Sequence, residues 1–156
     1  MDDVAIARAL HLLGVILWIG GVGFVTTVLL PAVQRLKTPQ ERVAFFEEVE
    51  GRFAWQARFT TLLTGLSGLY IVIAWDLWDR FLTPQYFWMH AMVLIWALFT
   101  VMLFVAEPLF LHRWFLRHAA ARPEQTFRLI RILHLVLLGA SLVTVLVAAI
   151  GSHGGF

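Results

Sequence analysis

The chain has 156 residues, 60% of them hydrophobic and only 14% charged, with a formal net charge of +2, no cysteine and a mean hydropathy of +0.80. One soluble core of this length could not bury so much apolar side chain, so the composition indicates an integral membrane protein. The lack of cysteine excludes disulfides, thiolate metal sites and cysteine nucleophiles, and leaves histidine, methionine and oxygen as ligands for any metal.

The first charge-free run, Ala9 to Gln34, lies between Arg8 and Arg35 and is long enough to cross a bilayer, which takes roughly 20 residues. Asp2 and Asp3 stand where a signal peptide is basic, and the run is too long for one, so this helix is expected to stay in the mature protein. Gly14, Trp18 and Gly21 follow His11 at helical spacing and share its face. Next, Thr38-Pro39-Gln40-Glu41 combines a capping Thr, a Pro at the first helical position and a Glu three residues after the cap, which is a capping box. Val43, Phe45, Phe46 and Val49, interleaved with Glu47, Glu48 and Glu50, predict a short amphipathic helix on the cytoplasmic surface.

The second run, Phe59 to Trp75, is the shortest, and Arg58 is expected to snorkel from its end. Trp75, Trp78, Phe81, Tyr86, Phe87 and Trp88 then form an aromatic belt of the kind that sits at headgroup level. The third run, Phe81 to Ala106, carries Met89, His90 and Met92; the fourth, Ile132 to Phe156, carries His134 and His153. Lipid gives backbone groups no partners and no run alternates, so helices are expected and a barrel is not. The predicted fold is all-α: a transmembrane up-down four-helix bundle in one domain, with helices near 5–31, 57–76, 86–108 and 127–150, plus the short amphipathic helix. Arg35, Lys37, Arg42, Arg52, Arg58, Arg113, Arg117, Arg122, Arg128 and Arg131 fall on one side, and Arg8 and Arg80 on the other. That asymmetry predicts a bacterial inner-membrane protein with both termini periplasmic. It makes the lipid bilayer the partner of the basic surface, and nucleic acid is not expected.

An ionisable side chain within lipid faces the bundle interior and marks a functional site by default. His11 and His90 fall at similar depth near the outer boundary on diagonal helices, where two imidazoles can ligate a haem iron from opposite sides. Gly14 and Gly21 would leave room for the macrocycle, and Trp18 would close its edge. The expected protein is therefore a membrane cytochrome with haem b, moving electrons between a quinol or membrane redox partner and a periplasmic electron acceptor. At the cytoplasmic end His134, His112 and Arg58 are candidates for a second cofactor. Copper held by His11, His90, Met89, Met92 and His153, with Met1 nearby, is an alternative. Against it, His90 points about 100° away from Met89 along the helix. A cofactor-free accessory subunit whose glycine faces serve assembly is another. No nucleophile with an adjacent base and no phosphate-binding loop occurs, so hydrolytic and ATP-driven chemistry are not expected.

The stretch His11-Leu12-Leu13-Gly14-Val15-Ile16-Leu17-Trp18-Ile19-Gly20-Gly21 resembles the first helix of the CopD-like membrane proteins (copper resistance protein D). Gly51-Arg52-Phe53, then Arg58-Phe59, then Thr64-Gly65-Leu66-Ser67-Gly68-Leu69-Tyr70 is similar to that family's second segment. The same His, Trp and Gly pattern is similar to the first helix of the HemJ family of haem-binding membrane proteins. The matches span the first two helices. The first resemblance implies copper uptake and the second a b-type haem, though helix three lacks a lysine that would match the HemJ pattern.

Overall fold

A computed structural model describes residues 3–35 and 38–155; Met1, Asp2, Lys37 and Phe156, used in the expectations above, lie outside the described residues. Among the described residues four helices are long and apolar enough to cross a membrane: α1 (Asp3–Val33), α2 (Pro39–Ala74), α3 (Pro84–Ala119) and α4 (Pro123–Ser152). No strand occurs among the described residues. Helix α1 packs most extensively on α2, and α3 on α4; smaller α2–α3 and α1–α4 contacts close the ring, giving the four-helix bundle expected from the runs.

The capping box forms as predicted. Glu41 N–H donates to the Thr38 hydroxyl at 3.2 Å, and Thr38 N–H donates to the Glu41 carboxylate at 3.0 Å. The helix it opens does not end before the membrane, however. It continues for 36 residues, so the expected short surface helix and the second span are one element. Gly51 alone is too weak a breaker to stop it. Its polar first half is held by an aromatic cluster in which Phe46 lies 5.2 Å from Phe115 and 5.8 Å from Phe127, centroid to centroid.

Helix α2 closes at its other end with Leu77 N–H on the Val72 carbonyl and Asp76 N–H on that of Ile73. Asp76 takes the left-handed conformation (φ 49°) that this Schellman turn requires. Helix α3 also outruns its expected end near residue 108. A π-helical segment, Met102–Leu111, carries it past Pro108. In that register a backbone N–H donates five residues back, and Pro108 has none to give to Leu103.

Close helix approach rests on small residues. A Cβ at Gly14 would lie 2.4 Å from Thr64 Oγ1 and 3.2 Å from the Thr60 carbonyl oxygen, so α1 rests directly on α2. Thr60 and Thr64 donate their hydroxyls to carbonyls four residues back, which presents smooth apolar surface to the neighbour. Gly65 lies under Trp96, and Gly151 under Trp88. Gly14→Ala is therefore expected to destabilise the detergent-solubilised protein by about 1–3 kcal/mol through overpacking. Gly20→Ala, in open space, should be neutral or slightly stabilising. Equal unfolding midpoints for the two variants would refute this packing argument.

Candidate functional site

His11 is half-buried and turned toward α2, where its Nδ1 lies 2.9 Å from the Thr64 carbonyl oxygen. A carbonyl can only accept, so Nδ1 carries the proton and Nε2 keeps its lone pair. Gly68 makes room for the ring, since a Cβ there would stand 3.0 Å from His11 Cε1. A tautomer fixed by a backbone carbonyl, with the second nitrogen left basic, is the usual state of a metal-ligating imidazole.

His90 does not meet it. Met89 and Trp88 take the inward face of α3, and His90, one residue on, is exposed with its ring edge-on to Phe81 at 5.4 Å. The expected pairing of two imidazoles across the core is thus corrected, because the direction of His90 around α3 turns it out of the core. Gly14 and Trp18 do face inward, yet the space expected for a macrocycle is filled. Thr64 occupies the ground above Gly14, Phe53 covers Gly21, and Phe99 meets Trp18 edge to face at 4.9 Å.

Trp18 is 3% exposed, and its indole N–H has no acceptor among the described residues. A stranded buried donor costs about 1–3 kcal/mol. Trp18→Phe removes that cost together with some packing area, so the net change in stability is expected to stay within about 1 kcal/mol. A loss of 3 kcal/mol or more in an unfolding titration would mean that the N–H serves a bound acceptor.

The copper set is not gathered either. Met89 is buried, Met92 half-buried and His90 outward, while His153 is exposed and bonded to the Ala149 carbonyl of its own helix at 2.8 Å. Among the described residues no group of three or more His, Asp or Glu is positioned to hold a metal ion. At the end of the bundle away from the basic connections the cations sit on rings, Arg8 over Trp75 at 5.6 Å and Arg80 over Tyr86 at 4.9 Å.

At the basic end the second-site candidates separate. His134 bonds the Ile130 carbonyl of its own helix at 2.9 Å, and His112 is exposed with Nε2 3.9 Å from Glu47. Arg58 instead finds α3. Its guanidinium pairs with the Glu107 carboxylate, and its Nε–H donates to the Leu103 carbonyl at 3.0 Å. Leu103 is the acceptor that Pro108 cannot serve, so Arg58 fills a bond the π-segment leaves open. Arg58 and Glu107 were both visible as ionisable residues next to apolar runs; Pro108 beside Glu107 was the signal that a carbonyl needed an outside donor. No family model, curated protein or solved structure matches this chain.

Proposed function

We propose that the protein is a membrane haem protein of b type that holds the iron on His11 and takes part in electron transfer. The observation supporting it is the Nδ1–H bond from His11 to the Thr64 carbonyl, which orients the ring and leaves Nε2 basic within an apolar bundle. His11 fits the role of axial ligand; His90, Gly14, Trp18 and Gly21 do not fit the roles of second ligand and slot. A bound haem would supply a one-electron couple. The basic residues around the α1–α2 and α3–α4 connections argue for a cytoplasmic location of that end, with His11 toward the periplasmic leaflet of an inner membrane. A quinol or other membrane donor and a periplasmic acceptor would be the partners.

The test is an absorption spectrum of the purified protein, oxidised, reduced with dithionite, and reduced under carbon monoxide. A Soret band that carbon monoxide shifts supports a single-imidazole site. A colourless preparation that takes up no added haemin overturns the reading. It would favour instead an accessory subunit, for whose assembly Gly20 and Gly139, with open space where a side chain would stand, are available glycines. Copper is the weaker proposal, because Met89 is buried in the bundle while His90, about 100° further round α3, is exposed.

A further inference from the structure

We propose that the groove between α1 and α2 at the basic end binds one anionic phospholipid of the adjoining leaflet. The groove encloses about 460 Å³. On its α1 wall Gly20 has open space where a side chain would stand, and the ring of Phe53 lies over Gly21 and forms the floor. Ile16 and Phe24 extend the trough toward the membrane centre and the basic end respectively. A recess with apolar walls on the lipid face has the character of an acyl-chain site.

Its polar end is equally specific. Arg52 and Gln56 stand one turn apart on α2 and border the groove. The Arg52 side chain is 83% exposed, and its contact with Glu48 is a loose 3.4 Å surface pair, an interaction that contributes little. Arg52 lies six residues before Arg58, roughly 9 Å along the helix toward the basic end. A guanidinium there matches a phosphodiester by charge and by its forked donors. The same molecule then satisfies both walls of the groove: phosphate on Arg52 and Gln56 of α2, and one acyl chain running past Gly20 toward Ile16 on α1. A neutral quinone would leave Arg52 unmatched, and a zwitterionic lipid would bring a competing cation.

The experiment uses the full chain in detergent with phosphatidylglycerol or phosphatidylcholine, read by native mass spectrometry and by the thermal midpoint. Wild type is expected to retain one phosphatidylglycerol in preference to phosphatidylcholine and to melt at a higher temperature when it is added. Arg52→Gln should weaken retention by about tenfold by removing a charge-assisted contact. Gly20→Leu, which fills open space and leaves the Arg52 charge in place, should weaken it comparably. Equal retention of the two lipids overturns the proposal, as does retention unchanged in either variant. A midpoint raised by decylubiquinone but not by phosphatidylglycerol would overturn it in favour of a quinone site.

Discussion

Arg58→Ala is expected to destabilise the solubilised protein by about 2–3 kcal/mol, below the roughly 3–5 kcal/mol lost when a fully buried ion pair is broken. The smaller cost applies because the Arg58 and Glu107 side chains remain 33% and 23% exposed and are partly screened by solvent. Two groups lose their partner at once, the Glu107 carboxylate and the Leu103 carbonyl that Pro108 leaves without a donor. Arg58→Lys keeps the charge but not the fork, so one contact should be lost and the cost should be intermediate. Glu107→Gln keeps an acceptor in place and should cost less than Glu107→Ala. The double variant Arg58→Leu with Glu107→Leu removes both charges together, and is expected to recover part of the loss. A single Arg58→Ala variant within 0.5 kcal/mol of wild type would show the pair to be solvated and structurally idle.

Much of the fold could be read from charge alone. Four runs bounded by Arg8, Arg35, Arg58, Asp76, Arg80, Glu107 and Arg131 correspond to the four long helices, because a charge inside lipid is expensive whatever the fold. The ends were less legible, since charges mark where the membrane stops and helices need not stop there. Phe46 packing on Phe115 and Phe127 keeps α2 helical through a charged segment, and the π-register carries α3 through Pro108. Direction around each helix was harder still. In water an apolar stripe identifies the core, but in a bilayer the lipid face is as apolar as the core face.

Depth could therefore be counted for His11 and His90, while the side each faces could not. Glycine spacing was a better guide: Gly14 and Trp18 do point inward. What lay above them depended on α2, whose Thr60, Thr64 and Gly68 form the complementary small-residue face. Both small-residue faces are in the sequence, but their pairing is a property of the packed bundle.

His11→Ala is expected to abolish the haem spectrum, whereas His90→Ala leaves it essentially unchanged, because only His11 is turned into the bundle with its tautomer fixed. Loss of colour in His11→Ala alone would not separate ligation from folding, since the variant also loses a tie between α1 and α2. That tie is an interhelical hydrogen bond, about 0.6–2 kcal/mol in a membrane. His11→Gln separates them: its amide can donate to the Thr64 carbonyl and keep the tie, but it offers iron no imidazole. Near-native stability with no Soret band in His11→Gln is the result the proposal requires. His11→Gly supplies the complementary case, with added imidazole expected to restore the band in the space the ring vacated. If His11→Gln retains full haem content, the iron is held elsewhere, and the bond to Thr64 is then helix packing and nothing more. If His90→Ala also loses the band, α3 must rotate on binding to bring His90 inward. Met89 and Trp88 would then have to leave the core, which hydrogen exchange in the first turns of α3 would register as lost protection.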